Sequence, residues 1–590
     1  MKNSLFLTVI SKLAIFSLAF KFEDVTNDIF SLGDDLGIIA AFGHFNSDEF
    51  TDIISLQQGG YRLVLLKGSE NRPYFQETQN CSFGSLITSV VPGDYNGDSI
   101  VDVLITLVGD EGESDVKILW GINGTLDCKS INLLSLRTQP FVVDFNGDMI
   151  PDIIGETKDE GRFVWISSAD KIFTNRSLTG KDHEKMKQRC HSSGLIDLNN
   201  DLVPDILIMS EKHIEMWLST GNGSYVMDES MSVKYPAKAA YVWQSTFVDM
   251  DLDGTIDLLL PVCYDDKCQV SAVLVWNSNA SKWETLLEDF KNPTDGTNWG
   301  FKISFGESRI MSSLPATLRV GDVDMDGYPD LIINLQSKKV QTKFQAVILK
   351  NIPCETCFLK RALHVEWDVP GLKDIPNVRL AAFFDLYEDG TLDVLVSSYE
   401  KDRWKIHALQ NTEVFDSCFL KVLVLNGLCG HGSCITEPYG VNQPGPMVRY
   451  NMTTQDGKLL VSTSVQLSQS AFFPLQLPFS HFGLGQTPNF IDILTVSIPA
   501  AYDKNVHMRE WLQIIPNSQI VVIPHPPYQE KKWVKKLYVT PSHLVLLTCI
   551  SLVGTCIFLS LIVALLQWKE RREDKKEKMQ DAYRFHFDAM

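Results

Sequence analysis

The sequence predicts an all-β protein: a seven-bladed β-propeller, then a small β-sandwich-like module, then one transmembrane helix. A nine-residue acidic pattern recurs seven times, with starts 50, 50, 53, 52, 73 and 63 residues apart. Short apolar runs, often β-branched, flank each copy and are bounded by turn residues, which is typical of strands. A long apolar run without charge lies near the C-terminus. Four-stranded repeats of about 50 residues are characteristic of propellers.

Length and charge narrow the class of protein further. The chain has 590 residues, which is more than one ordinary core holds, so at least two domains are expected. Its formal net charge is -20. Because phosphate binding requires a basic face, this charge argues against nucleic acid as a partner. It suits a chain that binds cations.

The first segment, residues 1–20, is predicted to be a signal peptide. Lys2 supplies the positive start, residues 5–20 are mainly apolar, and Ser17, Leu18 and Ala19 fit a cleavage site between small residues. A signal anchor or a buried strand are the alternatives. Cleavage would place the residues that follow outside the cytoplasm.

Residues 21–415 are predicted to form the propeller. The runs 38–42 and 53–56 flank the first copy of the pattern, and the run 63–66 supplies the next strand. Equivalent runs surround every later copy, and no helical periodicity interrupts them. Each unit therefore contains a strand, an acidic loop and two or three further strands.

The acidic pattern places oxygen donors at positions 1, 3, 5 and 9, an arrangement suited to a hard cation such as calcium. Copies one to seven begin at His44, Asp94, Asp144, Asp197, Asp249, Asp322 and Asp385. Glycine relieves strain in such tight turns. It stands at position 4 in two copies (Gly97, Gly147) and at position 6 in three (Gly254, Gly327, Gly390).

Five copies have a complete ligand set and are predicted to hold structural calcium. Their ligands are Asp94, Asn96, Asp98 and Asp102; Asp144, Asn146, Asp148 and Asp152; Asp197, Asn199, Asp201 and Asp205; Asp249, Asp251, Asp253 and Asp257; Asp322, Asp324, Asp326 and Asp330. Copy one has His44 at position 1, which calcium does not favour, and copy seven has Tyr387 at position 3. The alternative is that these residues only form turns.

Cysteines and glycosylation sequons indicate an oxidising, extracytoplasmic compartment. Ten of the twelve cysteines lie between the two hydrophobic ends, and three close pairs could form local disulfides: Cys263/Cys268, Cys354/Cys357 and Cys429/Cys434. The partners of Cys81, Cys128, Cys190 and Cys418 stay open. Six sequons occur in the same region: Asn80, Asn123, Asn175, Asn222, Asn279 and Asn451.

The C-terminal third predicts a membrane attachment. Residues 416–530 are predicted to be a β-rich membrane-proximal module, residues 543–567 a transmembrane helix, and residues 568–590 a cytoplasmic tail. The apolar run is long enough to span a bilayer, and basic residues follow it, as they do at a cytoplasmic end. A buried core helix is the alternative.

Several stretches carry a resemblance to known families. The acidic loops, with Phe42 and Gly43 before the first, resemble FG-GAP/VCBS repeats of integrin α-subunits. Residues 41–48, 144–148 and 381–385, together with the overall layout, resemble the T-cell immunomodulatory protein (linkin) family. Residues 440–445 and 481–485 resemble the module of ASPIC/UnbV-type proteins. This resemblance implies calcium-binding propeller loops.

The family resemblance also implies a function. It implies a single-pass type I plasma-membrane glycoprotein that binds a protein ligand on another cell or matrix, in cell–cell adhesion or immune modulation; whether the ectodomain is shed stays open. It further implies cytoplasmic contact with RuvB-like ATPases and tubulin. A carbohydrate-binding receptor, with Trp165, Trp217, Trp243 and Trp276 lining the surface, is the alternative. An ectoenzyme is disfavoured because no nucleophile elbow or zinc motif is present.

Overall fold

The chain is all-β apart from its C-terminal end, which confirms the predicted fold class. The computed structural model describes residues 20–30, 36–46, 48, 50–129, 132–159, 161–178, 184–188, 190–220, 223–302, 314–413, 417–429, 439–454, 457–486, 489–499, 506–539 and 543–587. The predicted signal peptide therefore lies outside the described residues, except for Phe20. Besides the C-terminal helix, the described helices are one short turn, Thr26–Ile29, and the 3₁₀ turns Gln58–Gly60, Asp110–Gly112 and Glu530–Lys532.

The strands before residue 412 form seven sheets of four or five strands, numbered here in chain order. Sheets 1 to 3 are Ile38–Gly43, Asp52–Gln57, Arg62–Gly68 and Phe75–Ser82; Ile87–Gly93, Asp102–Val108, Ser114–Leu119 and Asn132–Leu136; Phe141–Val143, Asp152–Glu156, Arg162–Ile166 and Thr174–Ser177. Sheets 4 and 5 are Gly194–Ile196, Asp205–Met209, His213–Ser219 and Tyr225–Lys234; Tyr241–Val242, Thr246–Val248, Asp257–Cys263, Ser271–Asn277 and Lys282–Leu287. Sheets 6 and 7 are Trp299–Gly300, Arg319–Gly321, Asp330–Ser337, Phe344–Pro353 and Arg361–Glu366; Val378–Phe384, Asp393–Glu400 and Arg403–Asn411, completed by Phe22–Asp24. A hairpin, Gly121–Ile122 with Thr125–Leu126, projects from sheet 2.

Consecutive sheets contact one another, and the last contacts the first, so the seven sheets form a closed ring. The N-terminal strand Phe22–Asp24 pairs antiparallel with Arg403–Asn411, so both ends of the repeat region meet in sheet 7. Ile39 N in sheet 1 donates to Ser397 Oγ in sheet 7 at 3.2 Å. The other junctions each carry a hydrogen bond: Leu126 to Gln79, Gln139 to Thr88, Arg162 to Glu215, Gln244 to His191, Thr246 to Leu318 and Arg319 to Ala381.

Burial explains why the second strand of each sheet is a continuous apolar run. Every residue of Asp52–Gln57, and of Asp152–Glu156 and Asp205–Met209, is buried. Strands that are covered on both faces by neighbouring sheets have no solvent side and need no polar alternation. The outer strands face solvent, as in Thr174–Ser177, where all four residues are exposed.

Two further sheets form the module after the ring. Sheet 8 contains Ser480–Gly485, Cys418–Val424, Ser518–Ile523 and Val534–Val539, and sheet 9 contains Leu459–Val465, Met447–Thr453, Ile491–Ile498 and His507–Ile514. Leu420 and Val422 of sheet 8 share one buried core with Val448, Leu494 and Trp511 of sheet 9. The module is thus a two-sheet sandwich. Its last strand, Val534–Val539, extends beyond the predicted boundary at residue 530, since lysines conceal its strand pattern.

A segment of the module, residues 466–479, lies among the first strands of the ring and is called the central segment here. The Gln469 carboxamide accepts a hydrogen bond from Phe42 N at 2.8 Å and donates to Phe42 O. On other sheets, Ser470 Oγ accepts from Val142 N at 2.8 Å, and Arg319 donates to the carbonyls of Phe473 and Pro474 at 2.9 and 3.0 Å. The segment therefore bonds to the inner edge of several sheets at once.

The central segment has an unusual backbone. Ala471, Phe472, Phe473 and Leu475 have φ values of 60, 53, 53 and 54°. The left-handed region costs an L-residue about 1–2 kcal/mol, so four such residues are retained only where contacts compensate. Burial of the Ala471 and Phe473 side chains and the hydrogen bonds to the ring supply that compensation. No sequence pattern predicted this segment.

The C-terminal helix, His543–Phe587, belongs to a second compact unit, residues 539–590. Its part Leu547–Gln580 is long and apolar enough to cross a membrane. The helix continues through most of the region predicted as a tail, because the lysine- and glutamate-rich sequence after Trp568 favours helix.

Three disulfides are present in the described chain. Cys263–Cys268 and Cys354–Cys357 confirm two of the predicted local pairs. A third, Cys81–Cys128, joins the last strand of sheet 1 to the residues after the hairpin of sheet 2. Cys434, the predicted partner of Cys429, lies outside the described residues.

Replacing Phe473 with alanine tests the central segment. The phenyl side chain of Phe473 is fully buried between the sheets, so Phe473→Ala should lower the free energy of unfolding by about 3–5 kcal/mol. Denaturant unfolding followed by tryptophan fluorescence measures this loss. Phe490→Ala is the control because Phe490 is 57% exposed, and it should cost about 0.5 kcal/mol or less. Equal losses would contradict the packing described here.

Acid should destabilise the ring through His191. Burial lowers the pKa of His191 to about 4, although its Nε2 bonds to Gln139 O at 2.9 Å. The unfolded chain binds a proton near pH 6.5, so stability is retained above that pH and lost as the pH falls towards 4. Between pH 7 and 4.5, wild type should lose about 2 kcal/mol more than His191→Gln in chemical unfolding at saturating calcium. Parallel losses would exclude His191 as the cause.

Candidate metal centres

As far as its residues are described, each copy of the acidic pattern lies in the turn between the strand that ends just before position 1 and the strand that begins at position 9. The first strand ends one residue before position 1, and the next strand begins at position 9, as in Ile87–Gly93 and Asp102–Val108 of copy two. These turns together form one face of the ring, which we call the loop face. The sequence repeat therefore corresponds to one structural position.

The turn uses two left-handed residues, at positions 4 and 6. Copy two has Gly97 (φ 68°) and Ser99 (φ 67°), whereas copy five has Leu252 (φ 60°) and Gly254 (φ 87°). The remaining described pairs are Gly147 and Met149, Asn200 and Leu202, Met325 and Gly327, and Glu388 and Gly390. The two glycine arrangements seen in the sequence are therefore one turn, in which glycine relieves either left-handed site.

The position-1 carboxylate holds the turn together. In copy two, Asp94 Oδ1 accepts a hydrogen bond from Asp98 N at 3.0 Å, and Asp94 Oδ2 accepts one from Ser99 N at 2.9 Å. Copies four to seven repeat both bonds with the amides of positions 5 and 6. These amide donors stabilise an ionised carboxylate and orient it towards the centre of the loop.

The position-9 carboxylate fastens the turn to the sheet. Asp102 Oδ2 accepts from Tyr95 N at 3.0 Å, and its Oδ1 accepts from Gly121 N, beyond the third strand, at 2.7 Å. Asp52, Asp152 and Asp393 make the same two kinds of bond. A simple turn does not require an aspartate at position 9, whereas a loop that is fastened to the sheet at both ends does.

Copies five and six bring their predicted ligands together most clearly. One carboxylate oxygen each from Asp249, Asp251 and Asp257 lies within 4.8 Å of the others, and the same holds for Asp322, Asp324 and Asp330. Burial, reinforced by Asp253, raises the pKa of Asp249 to about 8. Close, buried carboxylates that resist ionisation become favourable when a cation compensates their charge.

Orphaned oxygens make three of these loops, those of copies four, five and six, suited to hold a cation. Among the described residues, four ligand oxygens of the complete copies are buried without a hydrogen-bond partner: Asp205 Oδ2, Asp251 Oδ1, Asp324 Oδ1 and Asp330 Oδ2. A buried acceptor without a partner is costly. Carboxylate oxygens are the ligands that calcium prefers, so these positions match its donor set.

Copies two to four have asparagine at position 3 and a different local contact. Asn96 Nδ2 donates to Asp98 Oδ2 at 2.8 Å, and Asn146 and Asn199 donate to Asp148 and Asp201 at 2.8 and 2.9 Å. To ligate a cation, each amide would turn its oxygen towards the loop centre. Burial raises the pKa of Asp102 to about 8 and that of Asp205 to about 7, as expected for uncompensated loops.

Copy six contains a protein cation near its ligands. Lys350 Nζ lies 2.6 Å from Asp324 Oδ2. Burial opposes the charged form of Lys350, but the hydrogen bond and charge of Asp324 outweigh it and raise the pKa of the ammonium. Lys350 therefore offsets part of the four-aspartate charge of this copy, while Asp324 Oδ1 stays available to a metal.

Side chains of the module reach the position-1 carboxylates, which sequence reasoning missed. Asn426 Nδ2 donates to Asp94 Oδ2 at 3.0 Å, and Gln443 Nε2 donates to Asp144 Oδ2 at 3.0 Å. Gln443 lies within the 440–445 stretch that the sequence singled out, but nothing there indicated its contact.

The module backbone approaches the loop face in the same way. Thr463 N donates to Asp249 Oδ2 at 3.2 Å. At Gly483, an added Cβ would lie 1.9 Å from Asp322 Oδ2, so only glycine permits this approach. The module thus rests directly on the predicted ligands of four copies, and loop geometry and module docking are physically coupled.

Other residues singled out by the sequence serve packing. His481 is half-buried, with its Nε2 2.8 Å from Gly390 O. Trp165, Trp217 and Trp243 are 6%, 7% and 4% exposed, and Trp276 is half-buried. These tryptophans belong to the core and do not form the glycan-binding surface considered above.

The predicted glycosylation sites differ in exposure. Asn80, Asn123, Asn175 and Asn279 are exposed, which suits attachment of a glycan. Asn451 is half-buried within Met447–Thr453 of sheet 9. Asn222 lies outside the described residues.

Comparison with known sequences agrees with both parts of the fold. A family described as FG-GAP-like repeat matches residues 197–260, which contain copies four and five. A family described as ITFG1, C2 domain matches residues 438–538. The module is therefore similar to that C2 domain, whereas the sequence motifs suggested a likeness to ASPIC/UnbV-type modules.

Full-length relatives decide the family. T-cell immunomodulatory protein of Rattus norvegicus is 40% identical, over 96% of this chain and 95% of the relative. The chain belongs to the T-cell immunomodulatory protein family. The Homo sapiens member is 39% identical over 96% of this chain and 94% of its own length, and protein linkin of Caenorhabditis elegans is 28% identical over 94% and 96%. The family predicted from the sequence is confirmed.

Removing one ligand of copy five tests its assignment as a metal site. Asp251→Ala deletes an oxygen that has no protein partner, so the purified chain should bind one calcium ion fewer at saturation. Equilibrium dialysis with elemental analysis measures the number of ions per chain. Asp266→Ala is the matched control, because Asp266 is exposed and outside every copy. An unchanged ion number in Asp251→Ala would contradict the assignment.

Proposed function

We propose that this protein is a single-pass type I plasma-membrane glycoprotein whose calcium-stabilised ectodomain binds a protein partner in cell–cell adhesion or immune modulation. Its membership of the T-cell immunomodulatory protein family supports the general role. A candidate membrane-spanning helix follows the β-rich region, and four exposed sequons precede it. Five complete acidic loops supply the proposed calcium sites.

The contact between the loop face and the module carries this proposal. Carboxylates at position 1 of several copies accept hydrogen bonds from Asn426, Gln443 and Thr463. In this arrangement calcium stabilises the join between ring and module and does not bridge to a ligand in solution. We therefore assign partner binding to surfaces away from the loop face, where the turns between the second and third long strands are exposed.

The exposed turns suit a binding role because a rigid scaffold supports them. The turns at Gln58–Gly59 and at Lys401–Asp402 are exposed and join the second and third strands of sheets 1 and 7. Calcium at the opposite end would hold the sheets, and therefore these turns, in fixed relative positions. A partner then recognises a surface built from several sheets.

Other functions receive less support. Burial of Trp165, Trp217 and Trp243 removes the aromatic surface on which the carbohydrate-binding alternative depended. The family names describe no catalysis. Contact of the C-terminal residues with RuvB-like ATPases and tubulin stays a prediction from the family resemblance.

Calcium removal should weaken the ectodomain in a way that can be measured. With Kd values of about 10⁻⁴–10⁻³ M, 2 mM calcium stabilises each occupied site by roughly 0.6–1.8 kcal/mol. Chelation should therefore lower the unfolding temperature by several degrees, and added calcium should restore it. Differential scanning calorimetry measures this shift, with sodium chloride of equal ionic strength as the control. An unfolding temperature independent of calcium would contradict the proposed role.

Cell binding tests the proposed activity. Ectodomain displayed on beads should bind T cells or neighbouring epithelial cells in calcium, and chelation should reduce binding because the platform loses its fixed geometry. Flow cytometry measures the bound fraction, and beads carrying heat-unfolded ectodomain give the background. Binding to no cell type in either condition would overturn the adhesive role.

A further inference from the structure

Copies one and seven, which depart from the ligand pattern, lie side by side where the ring closes. Sheet 1 contacts sheet 7 through Ile39 and Ser397, and the rings of Phe42 and Phe384 have centroids 4.8 Å apart. Both copies lack a full set of oxygen ligands, so the junction needs another source of stabilisation.

A lysine from the module occupies this junction. Lys421 belongs to Cys418–Val424, and its side chain is 7% exposed. Its Nζ lies 3.1 Å from Asp385 Oδ2, the position-1 carboxylate of copy seven, and also donates to Glu388 Oε2. The ammonium is 4.0 Å from the centroid of the Phe479 ring, a cation–π contact. Lys421 therefore contacts the same carboxylate that would bind a metal.

Glu388 extends this interaction to copy one. Its Oε1 accepts hydrogen bonds from Thr51 N at 3.1 Å and Thr51 Oγ1 at 2.8 Å, while its Oε2 accepts from Lys421. Thr51 is position 8 of copy one. Glu388, which is position 4 of copy seven, thus accepts hydrogen bonds directly from copy one and at the same time from the Lys421 ammonium.

The remaining residues at this junction disfavour a metal ion. His44, at position 1 of copy one, is half-buried, and desolvation lowers the pKa of its imidazole to about 4, so this side chain is neutral at pH 7 and supplies no anionic oxygen. Tyr387, at position 3 of copy seven, packs edge-on against Tyr74 with ring centroids 5.3 Å apart. Burial opposes the charged form of Lys421, but Asp385 and Glu388 raise the pKa of its ammonium.

We propose that the Lys421 ammonium is the resident cation of copy seven and, through Glu388, clasps it to copy one without metal. The ring is then closed by a protein cation, whereas the other five copies require calcium. This inference rests on the proposed function only for the statement that the other five copies bind calcium. The clasp itself consists of contacts within the chain. Lys421 sits on the strand nearest in sequence to sheet 7, so the clasp also anchors the module.

Hydrogen exchange on the full-length chain in detergent provides the first test. On chelation, amides of the five complete loops should exchange at least about tenfold faster, whereas those of residues 385–393 and 50–52 should keep their protection. Equal loss of protection in all copies would overturn the clasp. Retained protection in every copy would contradict calcium dependence in the proposed function, whereas protection of residues 385–393 and 50–52 would still agree with the clasp.

Ion counting in variants provides the second test. Lys421→Met removes the ammonium but keeps most of the stem, so copy seven, with Asp385, Glu388, Asp389 and Asp393, should bind one additional calcium ion per chain. Lys421→Arg, which keeps the charge, should bind the wild-type number, and Lys421→Met with Asp389→Asn should lose the additional ion. An unchanged number in folded Lys421→Met would overturn the proposal. If that variant does not fold, the exchange pattern of the wild-type chain decides.

Discussion

Buried carboxylates between the strands of each repeat are the constraint on which the ring depends. Position 9 ties each turn to two strands, and position 1 gathers the turn amides around itself. Burial of these groups raises their pKa, as at Asp102 and Asp249, because their charge is poorly solvated. Every repeat must therefore be supplied with positive charge or hydrogen-bond donors.

Different repeats meet this requirement differently. Copy five contains four aspartates and no lysine, copy six shares one carboxylate with Lys350, and copy seven is contacted by Lys421. Asn426 and Gln443 add neutral donors at copies two and three. The module therefore participates in the electrostatics of the ring instead of following it as an independent domain.

Much of the fold was predictable because the same pattern of apolar runs and acidic turns recurs in every repeat. The pattern itself marks the strand boundaries: one strand ends just before position 1 and the next begins at position 9, as in Ile87–Gly93 and Asp102–Val108. The sequence indicated only one left-handed residue of each pair, the glycine. Its counterpart, such as Ser99 or Leu252, has the same conformation without being glycine. Contacts such as Lys421 with Asp385, or Gln443 with Asp144, join residues 36 and 299 apart and leave no periodic signal.

The ring needs the central segment of the module, residues 466–479, to fill its interior. Phe473 and Gln469 fill the axis between the first strands, so a shortened form ending before residue 466 would expose the backbone of Phe42 and the guanidinium of Arg319 to a hollow interior. The module therefore cannot be exchanged for an unrelated membrane-proximal domain while the ring keeps its present interior. Ring and module therefore share one interior, and neither has a complete core without the other.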